Sequence, residues 1–279
     1  MNSNEIREQQ RQTWNKFSSG WRKWDNHVLS WLRPVGDELI KSVSLKENYN
    51  VLDAATGTGE PGLTAALLVP KGKVVGQDLA EDMIQLAKEN ARIRGIKNYE
   101  TVSCDVSKMP FPDNHFDALM ARFGFMFFPD MQKAANEMAR IVKPGAKIST
   151  SVWGMPEKNA WATVILGTIN QMMQIPPLPD GAPGLFRCAK PGMMKDIFEK
   201  AGLKNVSEKE VSGTNSFDSA EHYWEFMNDI AAPVVSALSK ADEEMKTKIR
   251  SAALEKAQKF SSNGKISLPW CAVVIAGEK

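Results

Sequence analysis

Short apolar runs alternate with longer amphipathic stretches over the first 153 residues of this 279-residue chain. The apolar runs have the length of strands, and the stretches between them repeat their apolar positions every three or four residues, as helices do. The predicted strands end at Asp53, Asp78, Ser103, Ala121 and Trp153. Such alternation is typical of a parallel sheet with right-handed crossover helices. The pattern therefore predicts an α/β fold with a doubly wound, mostly parallel sheet.

The second half of the chain is less regular, but it supplies two further predicted strands over residues 203–211 and 266–275. These bring the predicted sheet to seven strands. Helices are predicted over residues 161–173 and 191–201, with two or three more within residues 219–262. Since no flexible linker divides the sequence, we expect a single domain. Its predicted parts are N-terminal cap helices, a cofactor-binding core and two helical cap insertions, over residues 1–34, 35–153, 154–188 and 219–262.

An aromatic stripe runs along the N-terminal segment, where residues 5–32 carry apolar side chains at helical spacing. Its members are Trp14, Phe17, Trp21, Trp24, Val28 and Trp31. Residues 18–20 are poor helix formers and favour a break into two helices. Pro34 predicts the end of the second helix, because the residue before a proline resists the α conformation. Most of these aromatic side chains are expected to pack the helix against the core. Four tryptophans are more than that packing requires, so some are predicted to cover a ligand.

A turn of small residues follows the first predicted strand, and the rest of the chain is organised around it. Residues 55–59 carry no bulk, so their backbone can bend sharply and approach a ligand closely. Open α/β sheets bind cofactors where a strand end meets a helix N-terminus. The pattern Gly57-x-Gly59-x-x-Gly62 also matches a dinucleotide fingerprint, which would place a pyrophosphate here. Asp53, however, stands directly before the turn, and its carboxylate favours a cation over a phosphate.

Three carboxylates are predicted at the carboxyl ends of successive strands, namely Asp53, Asp78 and Asp105. In a doubly wound sheet these strand ends line one crevice. S-adenosylmethionine (SAM) suits the three acids, since it carries a sulfonium and an ammonium group and no phosphate. Asp53 would lie nearest those cations, Asp78 would bind the ribose hydroxyls and Asp105 the adenine amino group. The adenine ring would be enclosed by three apolar side chains, Leu79, Met83 and Val106.

On these residues the chain resembles the class I SAM-dependent methyltransferases, and most closely the branch that contains the C-methyltransferases of ubiquinone and menaquinone biosynthesis. The matching stretches are residues 51–59, 76–83, 105–117 and 143–145. Phe17–Asp25 is similar to the segment that closes over SAM in the quinone branch, with Trp24 where an aromatic residue is expected. The resemblance covers residues 17–153. It implies a Rossmann-like fold and SAM as cofactor, but it does not specify the substrate.

The residue pattern and the resemblance together give a set of predicted cofactor-binding residues. They are Trp24, Asp53, Ala54, Ala55, Thr56, Gly57, Asp78, Leu79, Met83, Asp105, Val106 and Arg122. Two positions depart from the family, which usually has glycine where Ala55 stands and often has cysteine or serine at Thr56. Alanine carries a steric cost where φ is positive, so the turn is expected to be slightly strained at Ala55.

Methyl transfer from SAM is an in-line displacement, in which the protein mainly positions the reactants and excludes water. A general base is needed only for an acceptor that arrives protonated, such as a phenol or a carbon acid. The side chains in plausible places are His27, His115, Asp25 and Glu157. His27 is the better placed histidine, because His115 lies in a turn-like stretch typical of the surface. No catalytic residue is assigned from the sequence.

Apolar side chains that follow the fourth and fifth predicted strands indicate the class of acceptor. They are Phe123, Phe125, Met126, Phe127, Phe128, Trp153, Trp161, Met172, Met173 and Phe186. Each one taken singly is expected in the core. As a group, beside a proline-broken insert, they predict a cap over a small aromatic or hydrophobic acceptor. Arg122 is predicted to contact the cofactor or an acidic group of the acceptor.

Composition narrows the possible partners, metals and cellular location. A net charge of +2 provides no basic footprint for a phosphate backbone, so nucleic acid is not expected as a partner. No uncharged run reads as a membrane span, and the three scattered cysteines lack metal-ligand spacing, so we expect no metal and a reducing cytoplasm. The oligomeric state is not specified. An NAD(P)-dependent oxidoreductase using the glycine turn, or a noncatalytic SAM-binding protein, remains an alternative.

Overall fold

The computed structural model describes residues 2–179 and 181–279. Eight strands lie within these residues: β1 (Asn50–Ala54), β2 (Lys73–Asp78), β3 (Tyr99–Ser103), β4 (Phe116–Arg122), β5 (Val142–Trp153), β6 (Lys204–Phe217), β7 (Ser261–Ser262) and β8 (Lys265–Glu278). Seven of them form a sheet of order β3-β2-β1-β4-β5-β8-β6, and the two-residue β7 pairs with β8. β1 to β5 are parallel, whereas β8 is antiparallel to both of its neighbours. The predicted doubly wound, mostly parallel sheet is confirmed.

Helices connect the strands and cover the sheet. Those of the described residues are α1 (Ser3–Lys23), α2 (Asp25–Val43), α3 (Gly62–Leu68), α4 (Glu81–Ile93), α5 (Met131–Ile141), α6 (Ala160–Met173), α7 (Met193–Lys200), α8 (Ala220–Ile230), α9 (Ala232–Leu238) and α10 (Glu243–Gln258). Local residues fix where some of these helices begin or end. Asp130 accepts a hydrogen bond from the Lys133 N–H and caps α5, and Gly95 adopts a φ of +67° just after α4.

The helix α1 is unbroken, so the predicted break at residues 18–20 is wrong. Gly20 is buried inside the helix, and a Cβ added there would lie 2.0 Å from the carbonyl oxygen of Asp229 in α8. Glycine is therefore present because two helix backbones approach closely, and not because a helix ends. The chain bends four residues later, at Trp24, where α1 gives way to α2.

Pro34 lies inside α2, so the predicted end of the helix at this residue is also wrong. A proline in a helix interior removes one backbone hydrogen bond and costs about 3 kcal/mol. Pro34 itself is exposed, whereas one side of α2 packs against the sheet and is buried. Its buried side chains include Val28, Trp31, Leu32, Val35, Leu39 and Val43. Since burying each one stabilises by about 1.5–3 kcal/mol, the packing outweighs the lost bond.

The β6–β8 pair extends beyond the carboxyl end of the parallel strands. The last residue of β5, Trp153, pairs with Ala272 of β8. Residues 266–271 of β8 continue past that point and pair with residues 212–217 of β6. β6 is therefore longer than the strand predicted over residues 203–211. The extension forms a wall beside the crevice at the strand ends, and α2 packs across it.

Candidate active site

The turn after β1 is held in a left-handed conformation. Ala55, Gly57 and Gly59 have φ values of +52°, +55° and +111°. The positive φ at Ala55 confirms the strain expected for alanine at this position. A Cβ added to Gly57 would meet no protein atom within 4 Å. The turn therefore presents bare backbone to a space that a ligand can approach.

Gln77 braces this turn, a role that the sequence analysis missed. Its side chain is only 1% exposed. The amide Oε1 accepts from the Ala55 N–H at 3.2 Å, and Nε2 donates to the Cys104 carbonyl oxygen at 2.6 Å. One residue thus ties together the ends of three neighbouring strands. The available signal was a polar residue at the end of an otherwise apolar run, Val74–Gln77.

Asp53 is fully buried at the end of β1. Its Oδ2 accepts from the Thr56 hydroxyl at 2.5 Å and from the Gly62 N–H at 2.9 Å, which also satisfies the start of α3. Thr56 in turn contacts the Tyr99 hydroxyl at 2.8 Å. Oδ1 of Asp53 is buried and has no hydrogen-bond partner among the described residues. Burial raises the pKa of this carboxyl to about 7.

Asp78 ends β2 and binds the glycine turn from the other side. Its Oδ2 accepts from the Gly57 N–H at 2.9 Å, and its Oδ1 accepts from the Ala80 N–H at 3.0 Å. Burial raises the pKa of Asp78, whereas these backbone bonds act in the opposite direction. Each carboxylate oxygen can accept a second hydrogen bond, so Asp78 retains capacity for a ligand hydroxyl. Asp53 and Asp78 therefore contact the same turn from two sides, and both lie at the carboxyl ends of neighbouring strands.

Asp105 follows β3 at the same edge of the sheet and is held by a residue from α1. Arg7 Nη2 lies 2.7 Å from Asp105 Oδ2, and Ser107 donates through both its N–H and its hydroxyl at 2.9 Å. The carboxylate is partly exposed. Nothing in the local sequence signals the ion pair with Arg7, because the two residues are distant in the chain.

Two tryptophans of α1 pack against the start of α4. Trp14 and Trp21 pack against Ala80, Met83 and Leu86, which form a small core of their own around α4. Trp14 also meets the edge of Phe127, with ring centroids 5.2 Å apart. That some N-terminal tryptophans cover a ligand stays a prediction, and Trp14 and Trp21 are the two that lie against α4.

Trp24 faces a different neighbourhood. Its indole N–H donates to Asp229 Oδ2 at 2.8 Å, and its ring packs against His222 and Phe226 of α8. The structure therefore does not bring Trp24 to the three carboxylates. Of the other predicted cofactor-binding residues, Ala54, Met83 and Val106 are buried beside the strand ends, and Leu79 is partly exposed.

Arg122 ends β4 and lies among acidic side chains. Glu60, Asp53 and Asp25 all attract its charge, while burial lowers the pKa of the guanidinium. The Arg122 side chain makes no hydrogen bond or ion pair with another of the described residues. Nearby Arg94 instead pairs with Glu60 and lies 3.7 Å from Asp25. The guanidinium of Arg122 is thus available to an anionic group at the crevice.

A stack of aromatic rings begins directly after Arg122. Phe123 has a φ of +57°, a strained value for a large residue, and its ring stacks on Trp153 at 4.2 Å. Trp153 in turn contacts Trp31 and Trp161, with centroids 5.7 and 4.7 Å away. Other members of the predicted apolar wall are instead buried core residues, namely Phe125, Met126 and Phe128. Met172, Met173 and Phe186 are partly buried at the margin of the core.

Neither His27 nor His115 is hydrogen-bonded to the three strand-end carboxylates or to Arg122. His27 Nε2 lies 2.7 Å from Asn215 Oδ1, its ring stacks on Phe217, and burial lowers its pKa. His115 stacks on Phe111 near the amino ends of the strands, beside a groove of about 280 Å³. Within residues 2–179 and 181–279, no cluster of His, Cys, Asp and Glu is arranged to hold a metal. Over the same residues, no helix has the length and apolar character to cross a bilayer.

Comparison with known sequences finds similarity in the central part of the chain. Residues 45–176 match a family model described as a methyltransferase domain. A demethylmenaquinone methyltransferase of Thermus thermophilus is 35% identical over 136 residues, which cover 49% of this chain and 60% of that protein. The corresponding protein of Listeria welshimeri is 29% identical over 139 residues, covering 50% and 59%. The chain therefore spans about three fifths of the length of these relatives.

Comparison with solved structures extends the likeness along the chain. A SAM-dependent methyltransferase from Aquifex aeolicus superposes with a TM-score of 0.53 at 26% identity, covering 70% of this chain and 91% of that one. A phosphoethanolamine N-methyltransferase of Haemonchus contortus, solved in complex with S-adenosyl-L-methionine, gives a TM-score of 0.54 at 17% identity, covering 88% and 52%. The second likeness is one of fold alone.

Proposed function

We propose that this chain is a class I SAM-dependent methyltransferase, an enzyme that transfers a methyl group from SAM to a small aromatic or hydrophobic acceptor. The observation that carries the proposal is the pair of buried carboxylates, Asp53 and Asp78, on either side of an open glycine turn. Acids in this position suit a ligand that is cationic and free of phosphate.

The side chains at the crevice fit SAM. The partnerless oxygen of buried Asp53 leaves negative charge that a sulfonium or ammonium group would offset. Asp78 has remaining lone pairs for the ribose hydroxyls, and the bare backbone at Gly57 allows close approach. Asp105 would accept from the adenine amino group. The proposed site also includes Ala54, Ala55, Thr56, Leu79, Met83 and Val106, while Trp24 is retained only as a support of the cap.

Positioning and exclusion of water are the chain's main contributions to the reaction. When bound, SAM supplies a methyl group that its sulfonium already activates for displacement. Arg122 would hold an anionic group, either the carboxylate of the cofactor or an acidic group of the acceptor, because its guanidinium has no other partner among the described residues. Trp14 and Trp21 would shield the crevice from solvent. We assign no catalytic base.

The geometry favours this function over a nicotinamide-dependent oxidoreductase. A pyrophosphate at the turn needs free backbone N–H groups. Here the Gly57 N–H donates to Asp78 and the Gly62 N–H donates to Asp53. Two carboxylates therefore hold the amides that a dinucleotide would use, and they would repel its phosphates.

The acceptor is proposed from the aromatic stack and from the relatives. Phe123, Trp153 and Trp161 provide flat apolar surfaces beside the strand ends, and two of the chain's relatives are named demethylmenaquinone methyltransferases. We therefore propose a quinone-like small molecule as acceptor and no nucleic acid as partner. We further propose one domain over residues 1–279, working in the cytoplasm, where its three unpaired cysteines would remain reduced.

Calorimetry with SAM and with NADH tests the cofactor, with Gly57→Val as the matched variant. We expect SAM to bind and NADH not to bind. A valine at the positive φ of residue 57 would project its side chain into the ligand space, so SAM binding should be lost while the circular dichroism spectrum is kept. Tight NADH binding without SAM binding would refute the proposal. Incubation with tritiated-methyl SAM and cell extract would then identify the product, and no label transfer would favour a noncatalytic SAM-binding protein.

A further inference from the structure

Three buried N–H donors near the aromatic stack have no hydrogen-bond partner among the described residues. They are Trp31 Nε1, Asn215 Nδ2 and Trp270 Nε1, in side chains that are 7%, 1% and 2% exposed. A buried donor without a partner costs about 1–3 kcal/mol. Three such donors in one region lower the stability of the fold, and no contact within the described part of the chain offsets that loss.

The strand register places two of these donors on one face of the sheet. Gly213 pairs with Trp270, and Asn215 pairs with Leu268 two positions further along. Alternate residues of a strand point to the same face, so Asn215 and the Trp270 ring lie side by side, about 7 Å apart along β6. Gly213 makes room for the indole, because a Cβ there would lie 2.9 Å from the ring.

The third donor faces them from α2. His27 and Trp31 are four residues apart and share one side of the helix. His27 Nε2 contacts Asn215 Oδ1, and the Trp31 ring stacks on Trp153, which in turn meets the edge of Trp270 at 6.4 Å. The three donors therefore lie in one layer between α2 and the β5–β8–β6 part of the sheet. Because His27 is hydrogen-bonded to the amide oxygen of Asn215, the N–H₂ group of that amide points away from His27.

This layer continues to the methyl-transfer site. Trp153 stacks on Phe123, which follows Arg122 at the carboxyl end of β4. Because Phe123 and Trp153 are already in contact, an aromatic molecule would lie against the outside of this stack, with its edge near the donors and another part of its ring near the strand ends. The donors belong to residues outside the stretch 45–176 that matches the family, so the family likeness does not assign them a role.

We propose that Trp31, Asn215 and Trp270 form the polar subsite that selects the acceptor, and that they bind oxygen substituents on a planar aromatic ring. Oxygen atoms of hydroxyl or keto groups accept N–H bonds, whereas a plain hydrocarbon would leave the donors unpaired. His27 is a positioning residue that orients the Asn215 amide. The inference rests on the proposed methyltransferase function for its biological meaning, but it is testable by binding alone.

The experiment compares two probes, 1-naphthol and naphthalene, by calorimetry on the full chain saturated with S-adenosylhomocysteine. The ratio of the two affinities measures recognition of the hydroxyl and cancels general effects of ring packing. We expect the wild type to prefer 1-naphthol. Trp270→Phe and Trp31→Phe each remove one N–H, and each should reduce the preference about fivefold, the worth of one neutral hydrogen bond.

Trp224→Phe is the matched control. It makes the same change of ring in α8, at a partly buried tryptophan that lies outside the stack and outside the proposed site. The control should retain the wild-type preference. Absence of a preference in the wild type, or an unchanged preference in both Trp270→Phe and Trp31→Phe, would overturn the inference. Binding of S-adenosylhomocysteine to each variant is measured beforehand in a separate titration, so failure of the cofactor site is recorded separately from failure of the acceptor subsite.

Discussion

Asp53 and Asp78 are the same residue type at equivalent strand ends, yet their surroundings give them different properties. Burial raises the pKa of Asp78 as well, but both of its oxygens accept backbone N–H bonds, which act in the opposite direction. Asp53 has one oxygen satisfied and one buried without a partner among the described residues, and its pKa rises to about 7. Asp78 thus holds the turn, whereas a cationic ligand beside Asp53 would lower the pKa of its carboxyl and favour the charged form.

Replacing Asp78 with alanine should weaken SAM binding by more than tenfold. Hydrogen bonds to a charged acceptor are worth about 1.5–3 kcal/mol each, and the ribose would lose two of them. Calorimetry measures the affinity. Asp82→Ala is the control, since Asp82 is an exposed acid on the same connection and should bind SAM within about twofold of the wild type. Unchanged affinity in Asp78→Ala would remove this residue from the cofactor site.

Replacing Asp53 with asparagine should flatten the dependence of stability on pH. An ordinary aspartate titrates near pKa 3.8, whereas Asp53 in the folded protein titrates near 7. Between those values the unfolded chain has released a proton that the folded protein still holds, so rising pH favours unfolding; above about pH 7 the effect is constant. Urea unfolding from about pH 4 to pH 8 should therefore show a smaller loss of stability in Asp53→Asn than in the wild type. The exposed Asp37→Asn should keep the wild-type profile, and identical profiles for all three proteins would contradict the assignment.

The element that departs furthest from local sequence preference is α2. Its Pro34 would normally end a helix, yet the helix continues for nine residues beyond it. The same helix supplies the buried face that covers β4, β5, β6 and β8. Tertiary packing therefore decides the length of α2, and the proline remains as a local defect on its exposed side.

Pro34→Ala should stabilise the protein. Alanine restores a backbone N–H within the helix and removes the clash with the preceding turn, a change worth up to about 3 kcal/mol. The greater freedom of the unfolded chain offsets about 0.4–1 kcal/mol of this gain. Urea unfolding monitored by circular dichroism measures the difference. Pro177→Ala, in an exposed irregular segment, is the control and should show only the small loss; a loss of stability in Pro34→Ala would contradict our account of α2.

The elements that the sequence predicts well have their signals close together in the chain. Asp130 caps α5 three residues from the N–H that it binds, and α6 spans Ala160–Met173, where residues 161–173 were predicted. The breaks expected at residues 18–20 and at Pro34 were wrong because distant partners override local preference. The roles of Gly20 and Pro34 depend on α8 and on the sheet, which no local pattern contains.

At the scale of the whole molecule, Asn159 connects the C-terminal half to the sheet. Its side chain is completely buried. Nδ2 donates to the carbonyl oxygens of Gly154, Met155 and Cys271, while Oδ1 accepts from the Cys271 N–H and from Trp161. The end of β5, the start of α6 and the middle of β8 therefore meet at one amide. The main hydrophobic core likewise includes residues from both halves of the chain.

Asn159→Ala should destabilise the protein by about 3 kcal/mol or more, because it leaves several buried backbone groups without partners. We expect tryptophan fluorescence and circular dichroism to report one shared transition, displaced to lower temperature, as a single domain requires. Asn136→Ala, on the exposed side of α5, should change stability by no more than about 0.5 kcal/mol. Two separate transitions in the wild type would refute the single domain over residues 1–279.

The predictability of the site follows the same division between local and distant contacts. Asp53, Asp78 and Asp105 could be predicted because each directly ends or follows a strand, and parallel strands align their ends. The pairing of Arg7 with Asp105 and the layer of Trp31, Asn215 and Trp270 could not, because they depend on helices and strands far apart in the chain. The same distance explains why Trp24, chosen by motif, lies against α8 instead.

The stacked indoles also give the protein an optical property. Trp31, Trp153 and Trp161 lie within 6 Å of one another, centroid to centroid. Excitation absorbed by one ring passes readily to rings in contact with it, so the group should emit as a single unit. An electron-poor molecule in contact with any one of these rings would quench the fluorescence of all three. Binding of a quinone-like acceptor, as proposed above, would therefore be measurable by the fluorescence of the unlabelled protein.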